Sequence, residues 1–516
     1  VTGDHSLFTL GKKGDIEPVK VRDLKIDSYI AVPRIVSIER NDIEHIDILD
    51  YADKGYFKGE SIKKFIESNW MEIKKYGPKS NCQQWKERGI LPTRIIKELM
   101  NLGFAFNKDI EFKSSHNSRT IPRILRIDED ILTFFGLWLA DGCYDKKSVI
   151  ISVVDEESRS LVRKIAARFG TSCKMHSDGV SLMINSSTLK YVMQKLGLIG
   201  DAYTKRMPEW VYNLSNSQIA CLLRGLFSGD GYMAKSEAAI SLASENLIKD
   251  VQTLLLRFGI VSRINRMNEK DYTYSCRISA LPSLHEFYNA VGFLQKKKME
   301  ALRIVCNKKS THDSSDLIPL SLEMKHEMHG YSEKFNYSDY ISRNNNIGRV
   351  KLLSLSKRVE SNELASKLAM LAQSDIFWDP IREMKRIDFD GYVYDFSVPE
   401  CENFICENIL AHNTLELPIE ELQKLGYNVE RLKSRSVITH IETELPAEEA
   451  LRTALRLGDS ALIVGEVRSK EALALYEAMR IGALANVVAG TIHGESAYGV
   501  FDRVVNDLGV PPTSFK

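Results

Sequence analysis

The sequence predicts a multidomain chain: an all-β domain split by a long α+β insertion that repeats an αββαββα unit, then a segment of α/β parallel-sheet type. Three observations predict it. At 516 residues the chain exceeds what one ordinary core accommodates. A gapless internal similarity at an offset of 89 residues carries Asp141-Gly142 onto Asp230-Gly231, Ile151-Ser152 onto Ile240-Ser241, Glu156 onto Glu245, and Arg168-Phe169-Gly170 onto Arg257-Phe258-Gly259. Short alternating apolar runs with turns lie at both ends of the first 413 residues, after which the pattern changes to strand, helix, strand.

Composition narrows the class. It is that of a soluble globular protein, with no apolar run long enough to span a membrane. The chain opens on Val1 without an initiator Met or a basic-then-apolar leader, so we expect a fragment or processed product in the cytoplasm. Eight cysteines (82, 143, 173, 221, 276, 306, 401 and 406) form neither CxxC pairs nor His-linked metal spacings; they read as thiols of a reducing cytosol. The net charge of +1 is divided: from Thr414 onward 11 Lys+Arg face 15 Asp+Glu, which leaves the first 413 residues at +5. A mildly basic body is compatible with nucleic acid.

The split β domain is read at residues 1–50 and 381–413. Val1-Thr2-Gly3-Asp4-His5 leads into Pro18-Val19-Lys20-Val21 and Tyr29-Ile30-Ala31-Val32-Pro33, all short strands with turns between. The far end has Tyr392-Val393-Tyr394-Asp395-Phe396-Ser397-Val398, then Asn403-Phe404-Ile405 and Ile409-Leu410-Ala411-His412-Asn413-Thr414. These blocks resemble the splicing (Hint) domain of inteins, an all-β horseshoe commonly interrupted by an endonuclease. Thr2 and His5 match that family's T-x-x-H, and His412-Asn413 its C-terminal pair.

The resemblance implies roles that suit the residue types. The Asn413 amide attacks its own carbonyl and breaks the bond to Thr414, while His412 protonates the departing amine or meets the oxyanion. The Thr414 hydroxyl accepts the upstream acyl group. His5 donates a proton at the upstream junction, Thr2 orients that peptide, and Asp395 supports the transfer. Glu402 stands where the family often has His. The first block of that family, with its nucleophile, is expected upstream of Val1, and host extein segments are expected on either side of the splicing unit.

The insertion is read at residues 116–305. In each copy an apolar helix ends at Asp-Gly, where Gly is a natural helix stop. A β-like alternation, an amphipathic helix ending at Phe-Gly, a second hairpin and another helix follow. The first helix is apolar nearly all round, with Gly136 and Ala140, or Gly225 and Gly229, spaced four apart on one face. Paired closely, such helices bring Asp141 and Asp230 together. Two neighbouring carboxylates call for a cation, and hard oxygen donors with room for water suit Mg²⁺.

This pattern resembles the LAGLIDADG homing endonucleases over about residues 120–305. There the two aspartates bind catalytic metal, and the flanking sheets form a saddle for double-stranded DNA. Lys205-Arg206-Met207-Pro208 is similar to that family's K-x-x-P, which implies that Lys205 polarises the attacked phosphate or activates water. Val291-Gly292-Phe293 followed by Lys296-Lys297-Lys298 is a further match. Candidate DNA contacts are Lys146 and Lys147 in the first copy and Lys235, Arg263, Arg266 and Arg277 in the second; ordinary exposed strand faces would carry the same residues.

Residues 51–115 read as helical and Lys-rich with interspersed aromatics, either an added DNA-recognition module or a plain helical insertion. Residues 306–380 read as a helical linker that packs on the nuclease. From 414 to 516, Ser460-Ala461-Leu462-Ile463-Val464 ends in Gly465-Glu466, and Val487-Val488-Ala489-Gly490 leads to His493. This resembles the RecA-like ATPase core of type II/IV secretion motors. Gly465-Glu466 would end its Walker B strand, Glu466 polarising water, with His493 in a histidine box and Glu416 in an acidic box. No G-x-x-x-x-G-K-[ST] occurs in the sequence, so ATP is expected only for the complete host domain. The function expected is splicing with site-specific DNA cleavage; the rival is a secretion ATPase carrying an inactive intein.

Overall fold

The computed structural model describes the chain apart from residues 4, 269–272, 309–315, 331–335, 360–361, 392–397, 399–402, 413–422, 424, 429–460, 465–471, 474, 477–478, 480–486, 493–495 and 515–516. It divides into two compact units. One comprises Lys12–Gly14 and Val32–Trp378; the other comprises Val1–Gly11, Asp15–Ala31 and Asp379–Lys516. No helix among the described residues is long and apolar enough to cross a membrane.

The larger unit begins with a small module. Strands β1 (Tyr56–Lys58), β2 (Ile90–Pro92), β3 (Glu111–Lys113) and β4 (Ile121–Pro122) form an antiparallel sheet in the order β2-β1-β3-β4. Helices α1 (Glu60–Ser68), α2 (Lys79–Arg88) and α3 (Thr93–Asn101) lie between them in sequence. The helical reading of 51–115 is thus corrected to mixed α/β. Strands of two or three residues are too short for a period-2 signal to register. The sheet forms because Phe57 and Phe112, both 0 % exposed, join the core on one face.

Two copies of αββαββα follow. The first is α4 (Glu129–Asp141), β5 (Gly142–Tyr144), β6 (Val149–Ser152), α5 (Glu156–Arg168), β7 (Cys173–Met175), β8 (Ser181–Ile184) and α6 (Ser187–Lys195). The second is α7 (Asn216–Asp230), β9 (Gly231–Met233), β10 (Ala238–Leu242), α8 (Glu245–Leu255), β11 (Arg263–Asn268), β12 (Thr273–Ile278) and α9 (Leu281–Glu286). Both sheets are antiparallel, ordered β5-β6-β8-β7 and β9-β10-β12-β11. One continuous apolar core runs from Ile46 to Cys306 and includes residues of the small module.

Beyond α10 (Lys296–Cys306) come α11 (Leu322–Gly330), α12 (Arg349–Ser356) and α13 (Asn362–Gln373). Buried Arg349 ties this region together, donating to Asp316 at 2.8 Å and to the carbonyls of Leu371, Ala372 and Ser374 at 3.0–3.1 Å.

In the smaller unit, Ser6–Leu10, Ile16–Lys20, Asn403–Cys406 and Ile409–His412 make one antiparallel sheet; Ile409–His412 pairs with both Ser6–Leu10 and Asn403–Cys406. Ala461–Val464 and Val487–Gly490 pair in parallel, and Ala472, Leu475, Val504 and Val510 form a local core.

Candidate functional site

Helices α4 and α7 start on side-chain caps: Asp128 accepts from the Ile131 amide and Ser215 from the Gln218 amide. Their glycines exist for each other. A Cβ on Gly136 would overlap the Leu222 carbonyl oxygen, one on Gly225 the Thr133 carbonyl oxygen, and one on Gly229 the Ala140 side chain. The two backbones therefore touch, as the four-residue spacing predicts.

The glycines after the aspartates work differently from expectation. Gly142 has φ −91° and Gly231 φ −82°, so neither is a left-handed helix stop. A Cβ at Gly142 would strike Trp138, and one at Gly231 the Phe227 carbonyl. Lack of room, not backbone handedness, selects glycine, and the chain turns straight from helix into strand.

Asp141 and Asp230 close α4 and α7. Asp141 keeps an exposed face, yet the protein around its other sides raises its carboxyl above the ordinary range, against the pull of Lys205 and Lys298. Asp230 is pushed up to about 7, first by burial and then by the charge of Asp141. Lys205 is not a surface lysine. It is 3 % exposed, donates to the carbonyls of Gly142 at 2.7 Å, Trp138 at 2.9 Å and Ala140 at 3.2 Å, and lies over the Trp138 ring. Burial pulls its ammonium down to about 8, although both aspartates oppose this.

Lys298 is its counterpart; the sequence offered it only within the Lys296-Lys297-Lys298 match, without a role. It donates to the carbonyls of Gly231 at 2.7 Å and Ser228 at 3.0 Å. The signal was present: each copy is followed by a lysine that returns to its own Asp-Gly, but Lys205 precedes a Met-Pro and Lys298 sits in a run of three.

The donor set suits a divalent ion. Two carboxylates and the negative ends of two helices attract a cation. Among the described residues no group of three or more His, Cys, Asp or Glu gathers, so the protein supplies too few ligands for a closed cage. That fits a divalent ion that keeps waters and takes phosphate oxygens.

The sheet registers sort the basic candidates. Arg263 lies opposite Arg277, which faces Ala239, and Ala239 faces Tyr232; these four share one face. Ile264, Cys276 and Ile240 share the other, the core face. Arg266 falls on that second face by strand alternation, beside Tyr274, whose hydroxyl donates to Glu245 of α8. Arg277 is ion-paired with Glu237 at 2.6 Å. Lys146 and Lys147 lie exposed in the β5–β6 turn and Lys235 in the β9–β10 turn. In the first copy Lys174 pairs with Met183 at the position equivalent to Arg263. It was missed, and the 89-residue offset points to it.

In the smaller unit Thr2, His5 and His412 come to one sheet. Ser6 is opposite His412, the His5 amide donates to the Thr2 carbonyl at 3.2 Å, and the His412 ring lies 5.3 Å from that of Phe8. His5 stacks edge-on to Phe404 at 5.9 Å. Asp395, Glu402, Asn413, Thr414, Glu416, Gly465, Glu466 and His493 lie outside the described residues.

A family model described as the intein splicing domain matches residues 1–413, and one described as type II/IV secretion system protein matches residues 403–516. Among curated proteins, the RNA polymerase subunit Rpo1C of Methanocaldococcus jannaschii is 28% identical over 441 residues, covering 80% of this chain and 44% of that protein. Elongation factor 2 of Methanopyrus kandleri is 24% identical over 447 residues, with 80% and 35% covered. Reverse gyrase of M. jannaschii is 24% identical over 448 residues, with 80% and 26% covered. The chain thus spans less than half the length of each of these relatives. Among solved structures, I-DmoI in complex with DNA and Mn has a TM-score of 0.26 at 16% identity, covering 32% of this chain and 97% of that one. Full-length DUF199/WhiA from Thermatoga maritima has a TM-score of 0.26 at 17% identity, with 48% and 90% covered.

Proposed function

The chain belongs to the intein splicing family, and from that premise we propose that it excises itself from a host protein and cleaves double-stranded DNA with its two-repeat unit. An RNA polymerase subunit, an elongation factor and a reverse gyrase share no activity, so what each has in common with this chain is an inserted segment. The all-β splicing domain is read at the two ends of that segment, 1–50 and 381–413 by sequence, although residues 32–50 belong to the larger unit, where Ile46, Ile48 and Leu49 join its core. Thr2 and His5 serve the upstream junction; His412, Asn413, Thr414 and Asp395 serve the downstream one.

The observation that carries the nuclease reading is the pairing of Asp141 and Asp230 at two touching helix ends, each end capped by a buried or part-buried lysine. The endonuclease is read as LAGLIDADG-type, residues 116–305. A divalent cation, Mg²⁺ in this reading, would polarise a scissile phosphate and lower the pKa of a bound water. The chain's own groups prepare that site. Asp141 and Asp230 hold the charge, while Lys205 and Lys298 fix the helix-end carbonyls and add positive potential where phosphates approach. Lys174, Arg263 and Arg277, with the turn lysines Lys146, Lys147 and Lys235, track the DNA backbone.

Residues 414–516 are read as host sequence, part of a RecA-like secretion ATPase in which Glu466, His493 and Glu416 serve ATP hydrolysis once the whole domain is present. The match over residues 403–516 and the parallel strand pair support this. Cleavage by wild type, Asp141→Asn and Asp230→Asn on a randomised duplex library tests the nuclease. Wild type should cut a recoverable site; either variant should bind that site and leave it intact. Full cutting by a variant would remove the two-carboxylate assignment.

A further inference from the structure

The small module ahead of the repeats carries a cluster of basic groups that neither activity above uses. In its sheet Tyr56 lies opposite Lys113 and Pro92, and Lys58 opposite Glu111 and Ile90. Alternation puts Tyr56, Lys58, Glu111 and Lys113 on one face, since Phe57 and Phe112 fill the core on the other. Lys58 and Lys113 are diagonal neighbours, within reach of long side chains. Arg88 ends α2 beside them: Gly89 turns left-handed at φ 58°, and Ile90 then pairs with Lys58. His116 folds back over Tyr56, ring centroids 4.2 Å apart, and its carbonyl accepts from the Lys113 ammonium at 3.1 Å.

This arrangement is unfavourable as it stands. Lys113 is 8 % exposed, and one neutral carbonyl is the hydrogen-bond partner of its ammonium. The His116 Nδ1 atom is buried, with no hydrogen-bond partner among the described residues. Burial, and then the positive charges of Lys58 and Arg88, lower Lys113; burial, then Arg88 and Lys113, lower His116. Glu111 shares the face but is exposed at its rim. A little-exposed lysine and an unpartnered imidazole nitrogen among like charges favour the arrival of an anion.

We propose that Lys58, Arg88, Lys113 and His116 form a phosphate-binding site that grips the DNA backbone beyond the stretch covered by the two repeat sheets. The proposal rests on the nuclease reading above, and the charge balance is simple. One phosphodiester oxyanion offsets the excess cation and accepts hydrogen bonds from Lys58, Arg88 and Lys113, and from the His116 Nδ1–H once that nitrogen is protonated.

The test uses the full chain and a target duplex recovered by binding from a randomised library, prepared with and without an added flank on each side. Lys58 and Arg88 are exposed, so the double variant Lys58→Ala/Arg88→Ala keeps the core; Lys113→Met is the second variant. On the flanked duplex each variant should bind roughly fivefold to tenfold more weakly near 0.1 M salt, with the salt-dependence slope reduced by about 1. On the unflanked duplex both should equal wild type. The His116 imidazole should titrate higher when wild type holds the flanked duplex. Equal losses on both duplexes, or an unchanged salt slope, would overturn the site. So would tight binding of orthophosphate with DNA affinity untouched, which would mark a free-phosphate pocket. Failure of wild type to bind any duplex would instead remove the nuclease reading, and this site with it.

Discussion

The ammonium of Lys205 donates to the carbonyl oxygen of Gly142 at 2.7 Å, and Lys298 repeats that contact on Gly231 at the same distance. Each copy of the repeat thus ends its first helix on a lysine supplied from further along the chain. Lys205→Met should abolish cleavage. It should also push Asp230 higher, because a positive charge that opposes its upward shift is lost. Stability should fall by about 1–3 kcal/mol as the buried carbonyls lose their donor. Carboxyl NMR and denaturant unfolding check these. An unmoved Asp230 would mean that the lysine serves only as a helix cap.

Metal affinity should depend on pH. Asp230 ionises near 7 when the site is empty of cation, so Mg²⁺ binding should strengthen as pH rises to about 7 and level off above it. Calorimetry without DNA, in two buffers of different ionisation enthalpy, should detect proton release below that pH. Proton-independent binding at pH 6 would contradict the Asp230 assignment.

The same group leaves a mark on folding. Its carboxyl holds a proton more tightly folded than unfolded, so its stabilising contribution is full below the ordinary 3.8 and is lost as pH rises to about 7. Asp230→Asn should therefore be more stable than wild type above pH 7, with the difference shrinking under acid, as thermal melts across pH will read.

Gly136→Ala and Gly225→Ala should each destabilise by roughly 1–3 kcal/mol. Alanine in a helix interior normally gains about 0.5–1 kcal/mol over glycine, so the sign alone decides. The added methyl meets a backbone carbonyl of the opposite helix, which cannot rotate away. A raised melting temperature would mean the helices are not in backbone contact.

At the downstream junction, Asn413→Ala should stop release at the Asn413–Thr414 bond. His412→Ala should slow it by about 10²–10⁴-fold, the usual worth of a positioned acid–base group. Intact-mass measurement follows both. Release that persists in Asn413→Ala would point to a protease.

By itself the sequence determined the two-copy architecture and the pair Asp141 and Asp230. An 89-residue repeat needs no tertiary information, and Gly136, Ala140, Gly225 and Gly229 announce a close helix contact by spacing alone. It also determined that Thr2 and His5 belong with His412, through motifs at opposite ends of residues 1–413. The tertiary structure alone decided which charges face where. Arg266 lost its place beside Arg263 because three steps along a strand end on the opposite face. Lys205 became a buried helix cap and Lys298 its partner because both side chains return to carbonyls that no local pattern connects to them. The module at 51–115 turned out to hold a sheet because strands of two or three residues are stabilised by the core they share, through Phe57 and Phe112, and not by any periodicity of their own.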